Sequence, residues 1–222
     1  RLAIKVLNAA KFVLSFPVTE GATVTNPVDA SMLATLDRVI AEATKAQAGY
    51  DHARALEITE QFFWTFCDDY LELVKERAYD QADAHQASAA LALREALSAL
   101  LRLLAPILVF AAEESWSWFN EGSVHTAAWP TPSGTAGDPA VLAAASEALT
   151  GIRGAKTNAK ASQKTAVSLA VISADEETAA LLRQAADDLR SVGRIAQLRI
   201  VTAPEGAVGM TVESIELAPT EA

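Results

Sequence analysis

One cysteine, Cys67, is all the chain contains, so it can build neither an internal disulfide nor a cysteine-rich zinc site, and it suits a reducing, cytoplasmic setting. Long apolar runs are also missing. The longest uncharged one, residues 103–112, holds Pro106 and spans ten residues, whereas a membrane helix needs about 20. No signal-peptide pattern opens the chain, and no membrane partner is expected. The three histidines, His52, His85 and His125, stand far apart. No G-x-S-x-G, phosphate-loop or H-E-x-x-H pattern accompanies them, so neither a nucleophile with its base nor a metal site can be assembled. Basic charge is scarce: 18 Lys and Arg against 28 Asp and Glu give a net charge of −10. As a total this argues against nucleic acid, since counterion release from phosphates needs cations. What the chain does have is apolar content, 51% against 21% charged over 222 residues. That is enough for one or two packed cores, and it excludes a disordered or fibrous chain.

Periodicity places the elements. Leu2, Val6, Ala9, Val13 and Phe16 form one helical stripe that ends before Pro17. A second helix is expected from Pro27 to about Ala48, stopped at Gly49. A third is expected from Asp51 to Tyr79, about 43 Å long if unbroken, with Leu56, Thr59, Phe63, Phe66, Tyr70 and Leu73 on its seam. A fourth covers about Gln86–Leu104, and Pro106 separates it from a fifth over Ile107–Phe119. Residues 1–130 therefore read as a helical bundle and 131–140, TPSGTAGDPA, as a linker. Residues 141–222 read as a small α/β domain: a helix to about Thr150, a strand in TAVSLAVIS, a helix over about Asp175–Val192, then strands in AQLRIVT and AVGMTVESIEL. The fold class is mainly α, a helical bundle followed by a small α/β domain. The chain opens at Arg1, already inside a helical pattern, and is read as an excised piece of a larger, monomeric protein.

Local charge departs from the total. The first 16 residues hold three bases and no acid, and Arg1, Lys5, Asn8, Lys11, Phe12 and Ser15 share the face opposite the apolar stripe. A solvated face is the bland account. Phe12 strains it, because a ring among cations and an amide is how unpaired RNA bases are stacked, hydrogen-bonded and neutralised. A second acid-free stretch, residues 151–164, carries Arg153, Lys156, Lys160 and Lys164. The first three could share a helical face, and all four are candidate contacts to an RNA backbone. Residues 57–80 carry seven acids and two bases, so the negative total is concentrated elsewhere. Asp68, Asp69, Glu72 and Glu76 are read as a solvated helix face rather than a metal site, and Cys67 as a buried small hydrophobe.

The run RLAIKVLNAAKFVL resembles the helix that opens the anticodon-binding domain of class I aminoacyl-tRNA synthetases, the valyl branch in particular. FFWTFCDDYLELVKERAY, LRLLAPILVFAAEESWSWF, GSVHTAAWP and IRGAKTNAK follow in that family's order. The resemblance implies a bundle that docks the anticodon stem-loop of a tRNA, of the valine isoacceptors for the valyl branch, with Lys5, Asn8, Lys11 and Phe12 facing the anticodon. It further implies that ATP and magnesium act in the whole enzyme. No HIGH or KMSKS signature occurs here, so no catalytic residue and no cofactor are expected in this chain. Lys11 stands where arginine is frequent, which keeps the charge and loses the planar fork. Two alternatives remain at this point: an isoleucyl or leucyl member, and a helical scaffold that binds protein and no RNA.

Overall fold

The structure is a computed structural model that describes residues 1–204 and 209–219. Its contacts divide the chain into two compact units: Arg1–Leu71 with Arg77–Gly137, and Glu72–Glu76 with Asp138–Ala222.

The first unit is helical. α1 (Leu2–Leu14) buries Val6, Ala9, Ala10 and Val13, and ends where the Ser15 hydroxyl donates to the Phe12 carbonyl at 2.7 Å, two residues before Pro17. α2 (Pro27–Ala48) starts as its sequence dictates: Pro27 needs no partner for an N–H it lacks, and the Asn26 side chain accepts from the Val28 N–H at 2.8 Å. α3 (His52–Thr65) opens on an Asp51 cap. α5 (Gln86–Leu104) is the hub and contacts α1, α2, α3 and α6 (Val109–Ser117). Its alanines Ala89, Ala92, Ala96 and Ala99 are buried, which lets neighbouring backbones approach closely on several sides.

The long third helix is not regular. α3 passes into a π-helical turn, Phe66–Tyr70, before α4 (Leu71–Tyr79) resumes. Phe66, Cys67 and Tyr70 of the turn and Leu71 just after it are buried, and the wider turn re-phases the face that α4 continues. A seam spaced by threes and fours fits a regular helix equally well, and the insertion leaves no mark in it.

One polar knot is buried in this unit. Asp29, in the first turn of α2, is fully buried and receives both guanidinium nitrogens of Arg77, each at 2.9 Å, the Tyr70 hydroxyl at 2.7 Å and the Ser88 hydroxyl at 2.6 Å. Ser88 in turn accepts the Thr25 and Asn26 N–H groups, and Arg77 donates to the His85 carbonyl. Asp29 thus joins the start of α2, the π turn, the end of α4 and the start of α5.

Residues 131–137 are irregular and lie against α2. The Ser133 N–H and hydroxyl and the Gly134 N–H all donate to Asp37, and a Cβ at Gly137 would collide with the Ala30 carbonyl. The stretch expected to be a linker is strapped down through Gly137.

In the second unit, α7 (Pro139–Asn158) begins at an Asp138 cap and runs past the expected stop near Thr150. Gly151 does not end the helix. It makes room, since a Cβ there would meet Val212 at 2.8 Å. The sheet has the order β2-β1-β3: β1 (Val167–Ala174) pairs parallel with β2 (Ile195–Thr202) and antiparallel with β3 (Met210–Leu217). Ala207 and Val208 of the expected third strand lie outside the described residues. The single helix expected over 175–192 is two, α8 (Glu176–Gln184) and α9 (Ala186–Gly193), broken at Ala185. Asp175 caps α8, and bonds from the Thr178 N–H and hydroxyl and from the Gly209 N–H hold its carboxyl below the usual carboxylate range. A helical bundle followed by a small α/β unit is the architecture observed.

Candidate nucleic-acid interface

α1 presents its polar face much as its spacing predicts. Asn8 and Lys11 are exposed, and Phe12 is half-buried. The Phe12 ring meets the buried Phe16 edge-on at 5.1 Å and Tyr79 at 6.2 Å. The ring is thereby propped from two sides and keeps only part of its surface accessible, which is neither a fully buried core position nor a free side chain. Lys11 lies with its ammonium 5.8 Å from the centre of the Trp118 ring. Lys5 differs from its neighbours: it is 2.8 Å from Asp68 and over the Trp64 ring at 5.8 Å. Exposed pairs of that kind contribute about 0–1 kcal/mol, so a phosphate can compete for Lys5.

The second basic cluster does not form one face. α7 ends at Asn158, and Lys160 lies beyond it in a left-handed turn at φ 55°. Lys160 and Lys164 are exposed and Arg153 is half-buried. Lys156 is the exception, with 1% of its surface accessible. Its ammonium donates to the carbonyls of Gln163 at 3.0 Å, Thr165 at 2.8 Å and Gly193 at 2.8 Å. All three of its protons are spent inside the protein, so it is not a phosphate contact. Burial, and then the nearby Arg194, push its ammonium below the ordinary lysine range.

The chain matches the family described as the anticodon-binding domain of tRNA ligase over residues 29–172. It belongs to that family. It is 60% identical to a valine-tRNA ligase of Leifsonia xyli over 94% of this chain and 25% of that protein. With the valine-tRNA ligase of Thermobifida fusca it shares 49% identity over 100% of this chain and 26% of that protein, and with that of Cutibacterium acnes 49% over 91% and 24%. The chain thus spans about a quarter of the length of the curated relatives it matches.

For an anticodon-binding domain the relevant chemistry is recognition. Among the described residues, no group of three His, Cys, Asp or Glu side chains could hold a metal ion, and no helix is long and apolar enough to cross a membrane. Asp68, within the acidic stretch, is engaged by Lys5. Cys67 is buried, and burial pushes its thiol up to about 12. A thiol held that far above neutrality is almost all protonated. Cys67 should therefore stay unmodified by a disulfide reagent at neutral pH in the folded chain and react at once after denaturation, which a timed absorbance assay measures.

The rings that flank α1, Tyr79 and Trp118, were not singled out in the sequence. The π turn, α4 and α6 set their positions, and no local pattern reports which way those elements face.

Proposed function

We propose that the chain docks the anticodon stem-loop of a tRNA on the exposed face of α1, and that the whole enzyme joins valine to its tRNA using ATP. The observation that carries this is the juxtaposition, in an anticodon-binding family member, of an exposed amide at Asn8, an exposed cation at Lys11 and a propped, partly accessible ring at Phe12. Asn8 offers a donor and an acceptor to a base edge, Lys11 neutralises phosphate, and Phe12 stacks. Lys5 adds a second cation six residues earlier on the same helix. Arg153, Lys160 and Lys164 serve as sequence-independent backbone contacts, without Lys156. The valine isoacceptors are the tRNAs we assign, because the relatives named above are valine-tRNA ligases. We place the protein in the cytoplasm as a monomer, with ATP and magnesium used by the whole enzyme and no cofactor in this chain.

Equilibrium binding to matched and mismatched anticodon stem-loops tests the reading. Phe12→Ala should cost about 1–3 kcal/mol of binding, the usual worth of one stacked base. Asn8→Ala should relax discrimination at one base, and Lys11→Ala should weaken matched and mismatched loops alike. Replacing Lys160 and Lys164 together should flatten the salt dependence without altering discrimination. Equal affinity for all loops in the parent chain would leave an RNA-binding bundle that does not read the anticodon, and no binding at all would leave a protein scaffold.

A further inference from the structure

α1 is flanked by exposed rings on two sides. Tyr79, at the end of α4, is 56% exposed, and its ring packs edge-on against Phe12 at 6.2 Å and Phe16 at 4.8 Å. Trp118, just past α6, is 36% exposed, and the Lys11 ammonium lies over it. Tyr79 therefore borders the ridge through Phe12, and Trp118 borders it through Lys11.

Each ring is held rather than loose. The Trp118 indole N–H donates to Glu114 at 3.1 Å, four residues earlier in α6, which restrains the ring and leaves the π system as the available surface. Tyr79 rests on the buried Phe16 and follows Arg77, which the Asp29 knot anchors. A pre-positioned ring loses little freedom when a base stacks on it, and a ring paired with a cation suits a base that arrives with its phosphate. Partly exposed aromatics on both sides of an acid-free helix have no evident use in the unit's own core. A single-stranded nucleic-acid loop is the partner that uses both a π face and a positive charge.

We propose that Tyr79 and Trp118 are base-stacking residues of the α1 surface, one on each flank, so that the domain holds unpaired loop bases on three rings instead of on Phe12 alone. This inference rests on the reading of α1 as the face that docks the loop.

The test is equilibrium binding of the chain to an anticodon stem-loop, with a melting curve on every variant. Tyr79→Ala and Trp118→Ala should each weaken binding about tenfold, as for loss of one stacked base, with unchanged melting. Tyr79→Phe and Trp118→Phe keep a π face and should stay within about twofold of the parent. Tyr50, 85% exposed on the loop between α2 and α3, supplies the control, and Tyr50→Ala should bind as the parent does. Trp118→Phe should also remove part of the tryptophan quenching that the stem-loop causes, a readout that does not depend on how the alanine variants fold. If both alanine variants bind like the parent while Phe12→Ala loses about tenfold, the two flanking rings are not stacking residues and the reading of α1 stands. If Phe12→Ala, Asn8→Ala and Lys11→Ala also bind like the parent, the reading of α1 falls and this inference with it. Losses that only track a lost folded fraction, with quenching unchanged in Trp118→Phe, overturn it as well.

Discussion

Asp29→Ala should destabilise the helical unit by about 3–5 kcal/mol, because it takes away the carboxylate that balances a buried guanidinium. Arg77 is 7% exposed and its two terminal nitrogens both reach Asp29. Without the carboxylate, the positive charge keeps its desolvation cost and loses the bidentate attraction that offsets it. The Tyr70 and Ser88 hydroxyls lose their acceptor at the same time. Asp29→Asn should be milder yet still costly, since an amide accepts from one or two of these donors but cannot balance the charge. A double replacement, Asp29→Leu with Arg77→Met, should unfold later than either single variant, because a buried pair exchanged for apolar groups of similar bulk is often neutral. Denaturant unfolding followed by near-ultraviolet circular dichroism measures all three. A loss below about 1 kcal/mol for Asp29→Ala would mean that water reaches the pair and that the knot is not dry.

The same knot bears on function. Arg77 lies two residues before Tyr79, and Tyr70 closes the π turn that leads into α4. The contact between Asp29 and Arg77 thus fixes where the end of α4 stands against α2 and α5, and with it where the Tyr79 ring meets Phe12. A variant that loosens the knot without unfolding the unit should therefore weaken stem-loop binding although it touches no RNA.

What could be read in the sequence follows the range of the interactions involved. α2 was legible at both ends, because Asn26, Pro27 and Gly49 act on their immediate neighbours. The exposed face of α1 was legible too, since helical spacing alone sorts Asn8 and Lys11 from Val6 and Ala9. The π turn was not, because a seam of threes and fours does not reveal one extra residue in a turn. Nor was the continuation of α7 through Gly151, which answers to Val212 in a strand far along the chain. Tyr79 and Trp118 were missed for the same reason. Each is an ordinary aromatic at the end of a helix until the fold brings α4 and α6 beside α1.

Lys156 is the clearest failure of local reading, and the second large effect is expected there. In an acid-free stretch it looks like one of four surface cations. Its nearest partners, the Gln163 and Thr165 carbonyls, arrive only after α7 turns back, and the Gly193 carbonyl comes from 37 residues away. These bonds tie the end of α7 to the segment entering β1 and to the end of α9. Lys156→Ala should cost the α/β unit about 3–5 kcal/mol: a charged donor is worth about 1.5–3, and removing the buried stem adds a cavity. Lys156→Met keeps most of the bulk and should cost less, because removing the charge also removes its desolvation penalty and so offsets part of the three lost bonds. A pH series separates the two contributions. The folded-state pKa of Lys156 lies below its unfolded value, so in the alkaline window between them the unfolded chain binds more protons and stability rises with pH. That rise should disappear in Lys156→Met. RNA binding should behave oppositely to the expectation drawn from sequence: at a temperature where Lys156→Met is folded, the slope of log affinity against log salt should equal that of the parent, whereas Lys160→Ala with Lys164→Ala flattens it. A flattened slope in Lys156→Met, with stability intact, would mean that the ammonium leaves its three carbonyls to meet the phosphate.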